Sequence, residues 1–248
     1  MSESPLTWSG WLDEIGRRTG RPFTPLMCEQ LTTYIGLLRT WNTQMNLTAI
    51  LDDEGIAIRH LLDSLVLLPT VESLEQNGLN RPLRLIDIGT GAGFPGIPLK
   101  IVRPEWQITL LDSLAKRLHF LDVVIQNLNL TGIQTCHDRA EDGARRRTLR
   151  ENYDIAVARA VAALPVLCEY CLPYVRIGGL FIAMKGSLEQ EWPAAEQAVR
   201  QLGGKLENIL EFPLPGTDFQ RSLVVIRKVR PTPPIYPRKA GKPEKQPL

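Results

Sequence analysis

A short apolar strand that runs directly into a glycine-rich turn constrains this chain more than any other feature. Residues 83–88 read Leu-Arg-Leu-Ile-Asp-Ile, residues 89–96 read Gly-Thr-Gly-Ala-Gly-Phe-Pro-Gly, and a helix opens at residues 97–99. Glycine suits such a turn because a Cβ would prevent both the tight bend and the close approach of a ligand to the backbone. Strand, glycine loop and helix in this order predict a cofactor site at the carboxyl edge of an α/β sheet.

Apolar runs of strand length recur through the chain and alternate with helical segments. We predict strands at Leu83–Ile88, Gln107–Leu111, Ile133–His137, Tyr153–Ala158, Leu180–Met184, Leu206–Phe212 and Ser222–Val229. The alternation predicts a parallel, doubly wound sheet. Only about ten residues separate the last two runs, which leaves no room for a crossover helix and predicts an antiparallel final pair. The expected fold is therefore α/β, a Rossmann-like class I methyltransferase fold with a mainly parallel sheet and a reversed last strand.

The first 80 residues show helical periodicity instead of strand alternation. Thr24-Pro25 is a suitable N-cap and first turn for a helix whose buried face holds Leu31, Ile35, Leu38 and Trp41. A second helix is predicted over about Asp53–Leu68, with a polar outer side made of Arg59, His60, Asp63 and Ser64. Periodicity alone is compatible with a solvated Arg59–Asp63 ion pair or with a functional surface. We expect a helical extension over residues 1–80, a cofactor domain over 81–230 and a tail over 231–248.

Two cofactor classes fit the glycine loop on its own. Gly91, Gly93 and Gly96 satisfy the fingerprint of NAD enzymes, and Asp112 follows at the distance of a ribose-binding acid. Asp87 favours the other class, because a carboxylate at the mouth of the site attracts a sulfonium and an ammonium group but repels a pyrophosphate. The sequence thus favours S-adenosylmethionine, with an NAD-dependent oxidoreductase as the least favoured alternative.

The loops after three successive strands are expected to line one crevice, because parallel strands end at the same sheet edge. The first supplies the glycines, the second Asp112 for ribose hydroxyls, and the third Ala140 and Glu141 for the base.

The segment after the fourth strand, Ala158–Ala162, lacks both the Asn/Asp-Pro-Pro-aromatic turn of exocyclic-amine methyltransferases and a cysteine nucleophile. A ring nitrogen such as guanine N7 offers a lone pair and has no proton to remove, so its methylation needs alignment but no general base. No catalytic residue is therefore predicted. Arg159 and Lys185 are compatible with roles at the site and with structural ion pairs.

Charge is distributed unevenly along the chain. Residues 227–248 hold seven Lys and Arg residues against one Glu, although the whole chain has a net charge of only +2. With six prolines and few large apolar residues, this tail is expected to be extended or disordered when free. Contact with RNA phosphate and a solubilising role are both compatible with it. The cluster of Arg145, Arg146, Arg147 and Arg150 is expected to be a solvated helix face, with a contribution to RNA binding as the alternative.

Several classes of protein are disfavoured by composition. Four scattered cysteines do not form a disulfide scaffold, and Cys168 and Cys171 are expected to be buried helix thiols, with no metal site. No signal peptide or long apolar stretch is evident. We therefore expect a cytoplasmic location and no membrane association. Nothing requires more than a monomer.

The motifs in order resemble those of the bacterial 16S rRNA guanine-N7 methyltransferases known as the RsmG or glucose-inhibited division protein B family. The matching segments are Trp41-Asn42, Asn46-Leu47-Thr48, residues 59–64, residues 87–99, Leu111-Asp112-Ser113 with Lys116-Arg117, Arg159-Ala160, and Tyr236-Pro237-Arg238-Lys239 with Gly241, Pro243 and Pro247.

This resemblance implies methylation of a guanine N7 in the 530 loop of 16S rRNA, free or within an assembling small subunit. Another RNA or a small molecule is the alternative substrate. For the cofactor, the residues and the resemblance together indicate Asp87, Gly89, Gly91, Gly93, Phe94, Asp112, Ser113, Ala140, Glu141 and Arg159. For the substrate, they indicate Arg59, His60, Asp63 and Lys185.

Overall fold

A seven-stranded sheet organises the chain in a computed structural model that describes residues 6–76, 79–186, 188 and 191–248. The strands are β1 (Arg84–Ile88), β2 (Gln107–Asp112), β3 (Ile133–His137), β4 (Tyr153–Arg159), β5 (Val175–Lys185), β6 (Gly204–Pro213) and β7 (Gln220–Lys228). Their spatial order is β3-β2-β1-β4-β5-β7-β6, and β7 alone runs antiparallel to both of its neighbours. The predicted mainly parallel sheet with a reversed last strand is confirmed, and β5 is longer than expected. The strand order changes direction between β1 and β4, where ligands of doubly wound sheets bind.

Helices cover both faces of the sheet. They are α1 (Trp8–Thr19), α2 (Pro25–Met45), α3 (Asp53–Ile56), α4 (Asp63–Leu65), α5 (Leu68–Gln76), α6 (Gly96–Val102), α7 (Ala115–Asn127), α8 (Ala140–Gly143), α9 (Leu164–Cys171), α10 (Glu191–Gln201) and α11 (Lys242–Lys245). As predicted, Thr24 caps α2, since its side chain accepts a hydrogen bond from the Met27 amide.

The N-terminal helices share a hydrophobic core with one face of the sheet and with α6 and α7. Tyr34 on α2 is fully buried, and its hydroxyl donates a 2.6 Å hydrogen bond to the carbonyl of Ala92 in the glycine loop. A second core, which includes Cys168 and Cys171 of α9, fills the opposite face. Helix α2 therefore supports the glycine loop directly.

The helix predicted over Asp53–Leu68 is interrupted by a π-helical turn at Ala57–Leu62, between α3 and α4. Asp52 caps its start by accepting a 2.7 Å hydrogen bond from the Gly55 amide. The π turn contains Arg59 and His60, and such turns often occur at functional sites because they re-aim side chains. The predicted polar side is not solvated throughout, since Asp63 and Ser64 are buried.

The C-terminal tail, which the sequence predicts to be extended or disordered when free, packs against the body of the protein and has little regular secondary structure besides α11. Arg238 forms an ion pair with buried Glu169 of α9, with a closest distance of 2.6 Å. The side chain of Arg150 donates hydrogen bonds to the carbonyls of Tyr236 and Thr232, and that of Arg145 to the carbonyl of Pro237. Arg145 is exposed, as predicted, whereas Arg150 is half-buried, and both hold the tail by its backbone. The cluster lies in turns and not on the predicted helix face.

Candidate cofactor and substrate clefts

The glycine loop turns sharply off β1 and folds back over the end of β2. The amides of Gly89 and Thr90 both donate to the carbonyl of Leu111, at 2.8 and 3.1 Å. Gly89 and Gly91 have φ values of +71° and +59°, a region that side chains disfavour. A Cβ at Gly91 would meet no atom closer than 3.9 Å, so this backbone faces open space that a ligand can approach.

Gly93 and Phe94 pack the loop against the N-terminal helices. A Cβ at Gly93 would lie 2.8 Å from Ile97 and Leu121. The Phe94 ring is only 5% exposed and stacks on His60 at a centroid distance of 4.5 Å. Neither residue lines the first cleft described below, so their contact with a cofactor remains a prediction and their observed role is to position the loop.

The first cleft lies at the carboxyl ends of β1, β2 and β3 and has a volume of about 280 Å³. It brings together the loop residues predicted from three separate strands, together with the C-terminal tail. Its walls include Gly89, Asp112, Ser113, Asp138, Arg139, Ala140, Glu141, Ala160, Tyr170, Gly241 and Glu244.

Asp112 connects the floor of the first cleft to the glycine loop. Its Oδ2 accepts a 3.0 Å hydrogen bond from the Gly91 amide, and its Oδ1 accepts one of 2.9 Å from the Leu114 amide. Arg117 lies 3.4 Å from Oδ2. Each carboxylate oxygen can accept two hydrogen bonds, so Oδ1 has capacity for a ligand hydroxyl. This geometry fits the ribose-binding role predicted for Asp112.

Asp87 was predicted from the sequence to lie at the mouth of the site, but it lies beneath the glycine loop. It is 1% exposed, and its Oδ2 accepts hydrogen bonds from the Thr90 hydroxyl and the Gly96 amide at 2.8 and 3.0 Å. Burial raises the pKa of this carboxyl from 3.8 to about 6. Among the described residues, Asp87 Oδ1 is the one buried side-chain oxygen or nitrogen without a hydrogen-bond partner. An unpaired buried acceptor is unfavourable and indicates a ligand or a functional constraint.

Glu141 faces the tail as well as the cleft. Its Oε1 accepts a 2.7 Å hydrogen bond from the Gly241 amide. The neighbouring Tyr170 hydroxyl donates at 3.1 Å to Glu244. The sequence placed Glu141 beside a nucleobase, and the structure adds a contact to a segment 100 residues away.

A second cleft, of about 410 Å³, adjoins the first at Ala160, which lines both. Ala160 has a φ of +55°, an uncommon conformation for a residue with a side chain. The second cleft is lined by Ile50, Arg59, His60, Asp63, Arg159, Ala160, Met184, Lys185, Gly186 and Arg221. All four residues predicted to bind substrate lie here, and so does Arg159, which the resemblance places at the cofactor.

Asp63 is the centre of the charged groups in the second cleft. Its two oxygens bind different arginines, Arg159 at 2.9 Å and Arg221 at 2.7 Å. The Arg59–Asp63 ion pair, one of the two alternatives that periodicity allowed, is not formed. Arg59 instead stacks over the ring of Phe219, with its guanidinium carbon 4.7 Å from the ring centroid. Both proton-accepting oxygens of Asp63 are thus already engaged by cations.

His60 is held as a neutral ring. Burial, followed by the charge of Arg159, lowers the pKa of His60 to about 4. The Nε2 atom of His60 lies 2.8 Å from the Thr48 hydroxyl, and the Thr48 amide in turn donates to Asn42 at 2.8 Å. Asn42 and Thr48, which belong to the segments that resemble the family, therefore orient the His60 ring.

Lys185 forms a structural pair as well as lining the cleft. Its ammonium lies 2.9 Å from Glu191 and donates to the carbonyl of Ala162 at 3.0 Å. Arg221 was not predicted from the sequence, because it lies near the start of β7 with no motif around it. Gly241 and Glu244 were predicted only to belong to the tail. The one available signal was that the segment around Gly241 resembles the tail of the family.

Within the described ranges, no cluster of three or more His, Cys, Asp or Glu residues has the arrangement of a metal site. Cys168 and Cys171 are buried on α9, as predicted, and burial raises the pKa of both thiols. No helix in the described part of the chain is both long and apolar enough to cross a membrane.

Comparison with known proteins finds one matching family and curated relatives that bear its description. The GidB family model, described as rRNA small subunit methyltransferase G, matches residues 27–223. A ribosomal RNA small subunit methyltransferase G from Acetivibrio thermocellus is 53% identical over 220 residues, which cover 89% of this chain and 88% of the relative. Its namesake from Clostridium perfringens is 44% identical over 230 residues, covering 92% and 94%.

Solved structures support the fold independently of close sequence similarity. A Galdieria sulphuraria protein assigned as a sarcosine dimethylglycine methyltransferase superposes with a TM-score of 0.55 at 10% identity, covering 72% of this chain and 87% of that one. At this identity the likeness establishes the class I methyltransferase fold alone.

Proposed function

Because this chain belongs to the GidB family, that of rRNA small subunit methyltransferase G, we propose that it methylates N7 of a guanine in the 530 loop of 16S rRNA, using S-adenosylmethionine. The observation that carries the proposal is the meeting of two different clefts at Ala160. Carboxylates outnumber cations in the first cleft and cations outnumber carboxylates in the second, as expected for a cationic methyl donor beside an anionic acceptor.

The residues of the first cleft fit the donor. Asp112 lines the cleft and has capacity for ribose hydroxyls. The glycine loop beside it has the open backbone of Gly91 and, beneath it, the unpartnered Oδ1 of Asp87, although these two residues do not line the cleft. Four carboxylates against two arginines line this cleft. That balance favours a ligand with a sulfonium and an ammonium, and it disfavours the pyrophosphate of NAD. We assign Asp87, Gly89, Gly91, Asp112, Ser113, Ala140 and Glu141 to this site.

When bound, S-adenosylmethionine supplies an electrophilic methyl group. The chain's own contribution is to hold the acceptor base in line and to exclude water from the junction at Ala160. His60 and Asp63, the proton acceptors among the residues that line the second cleft, are engaged by Thr48, Arg159 and Arg221. A site whose proton-accepting side chains are already hydrogen-bonded or ion-paired suits guanine N7, which has a lone pair and no proton to lose.

The second cleft fits a nucleotide of RNA. The second cleft has an excess of positive charge, because the charges of Arg59, Arg159 and Arg221 outnumber the single negative charge of Asp63. Such an excess favours binding of a phosphate backbone. A target base must leave its stack to enter such a cleft, which favours a loop or an assembling subunit over a regular duplex. The proposed substrate places the reaction in the cytoplasm.

Transfer of labelled methyl to 16S rRNA, with the product nucleotide mapped, tests this function. The sharpest substrate is an RNA with 7-deazaguanine at the target, which replaces N7 with a carbon and keeps the base-pairing edge. We expect transfer to the guanine substrate and none to its 7-deaza analogue.

Transfer to the analogue, or mapping to another position, would contradict N7 as the acceptor. Binding of S-adenosylhomocysteine without transfer to any ribosomal RNA or subunit would favour a different RNA or a small-molecule substrate. A titration that shows NADH binding but no binding of S-adenosylhomocysteine would favour the oxidoreductase alternative.

A further inference from the structure

The C-terminal tail reaches the first cleft and lines it with Gly241 and Glu244. We propose that residues 231–248 form one wall of the cofactor site, and that Glu141 is a positioning residue that holds this wall in place. The identity of the cofactor rests on the function proposed above, whereas the position of the tail does not. Sequence reasoning, by contrast, gave the tail only a role in RNA binding or solubility.

The tail is anchored by a buried ion pair shortly before it reaches the cleft. Glu169 is buried, and its carboxylate accepts hydrogen bonds from the Arg238 guanidinium at 2.6 and 3.0 Å and from the Arg238 amide at 2.6 Å. A buried carboxylate needs such partners, because its desolvation is otherwise uncompensated. The Arg238 anchor thus gives the following residues a defined starting point.

A second anchor fixes the beginning of the tail. The Thr232 amide donates to Glu151 at 2.7 Å, and the Thr232 hydroxyl donates to the carbonyl of Leu202 at 2.8 Å. Lys228, fully buried at the end of β7, contacts Thr232 and Glu151 as well. With both anchors in place, the last residues have little freedom to leave the cleft.

Two contacts then bring the end of the tail to the cleft wall. Glu141 is only 4% exposed and accepts the Gly241 amide, while Tyr170 donates to Glu244. Gly241 has a φ of +79°, and a Cβ there would meet nothing within 4 Å. The wall is therefore held by groups of the body, and Gly241 borders open space.

Hydrogen–deuterium exchange of the full-length wild type, with and without S-adenosylhomocysteine, tests the proposal first. We expect the ligand to slow exchange in residues 239–245 by roughly tenfold, because a wall covered by ligand opens less often. Exchange at α1, which lies outside the cleft, should be unchanged.

Substitution at Glu141 separates positioning from direct contact. Glu141→Ala removes the acceptor of the Gly241 amide, so it should speed exchange of the tail in the free protein. We expect it also to raise the Kd for S-adenosylhomocysteine by about tenfold. Glu141→Gln keeps a carbonyl acceptor and should restore both properties to within about threefold. The exposed neighbour Asp142 provides the control, as Asp142→Ala.

A bulky residue at the wall provides an independent test. Gly241→Leu should raise the same Kd by at least about tenfold by occupying space in the cleft. Gly20→Leu is the matched control, because Gly20 also has a positive φ and open surroundings but ends α1. This control reports the cost of the backbone conformation alone.

Two failures are distinguishable. If the wild type binds S-adenosylhomocysteine while the tail shows no protection and both Glu141→Ala and Gly241→Leu bind normally, the tail is no part of the site and the function still stands. If the folded wild type does not bind the ligand even with RNA present, the proposed function fails and the wall has no cofactor to enclose.

Discussion

Replacement of Asp87 by asparagine tests whether a buried charge is kept under the glycine loop at the expense of stability. The pKa of Asp87 is raised from 3.8 to about 6, because burial disfavours the ionised form. Between these values the folded protein binds more protons than the unfolded chain, so the free energy of unfolding falls as pH rises. A shift of about two pKa units corresponds to about 3 kcal/mol, which is present below about pH 4 and lost above about pH 6.

Asp87→Asn removes this titration but keeps an oxygen for Thr90 and the Gly96 amide. The difference in unfolding free energy between variant and wild type should therefore shift by about 3 kcal/mol in favour of the variant between about pH 4 and pH 7. Urea unfolding at several pH values measures this difference, and the other titrating groups cancel in it. Asp13→Asn, at an exposed position on α1, should show no such shift.

The same variant should bind S-adenosylmethionine at least about tenfold more weakly, since the carboxylate under the loop is lost. A stability difference that stays constant with pH would show that Asp87 is not ionised against a burial penalty. Unchanged affinity for the ligand would remove Asp87 from the cofactor site.

Three further results are expected. Gly91→Val should abolish binding of S-adenosylhomocysteine in a folded protein, as judged by calorimetry and circular dichroism, whereas Gly20→Val should bind normally; normal affinity in the first variant would refute the loop assignment. Arg221→Ala should lower kcat/KM for RNA by about tenfold with little change in cofactor Kd, unlike Arg200→Ala on the exposed side of α10; an equal loss in both would exclude a specific role. Removal of exposed tail charges should reduce the slope of log affinity against log salt by roughly 0.7 for each lost phosphate contact, and an unchanged slope would leave the tail without an RNA role. The residues to replace by alanine are Lys239, Lys242 and Lys245.

Local patterns in the sequence were sufficient for the fold and for part of the site. Apolar runs and helix-length connections specify a parallel sheet, and parallel strands place the loops after β1, β2 and β3 at one edge. The sequence was therefore sufficient to place four residues of the first cleft together, namely Gly89, Asp112, Ala140 and Glu141. The spacing of Arg59 and Asp63 likewise put them on one helical face, which borders the second cleft.

Partnerships between distant segments could not be read from the sequence. Asp63 binds Arg221 across 158 positions, and Glu169 binds Arg238 across 69. No periodicity links such residues, and each has several oppositely charged candidates along the chain. For this reason periodicity left two alternatives open for Arg59 and Asp63, an ion pair or a functional surface, and folding brought two other arginines to Asp63.

The succession of strands and helices along the chain, the glycine loop and the sheet edge at which a ligand is predicted to bind all follow from the amino-acid sequence. These depend on the properties of neighbouring residues and on the geometry of parallel strands. The burial of Asp87, the binding of Asp63 to two arginines and the contribution of the tail to the first cleft became evident in the folded protein. Burial and ion pairing depend on which surfaces exclude water together, and that is settled only when segments distant in the chain pack against each other.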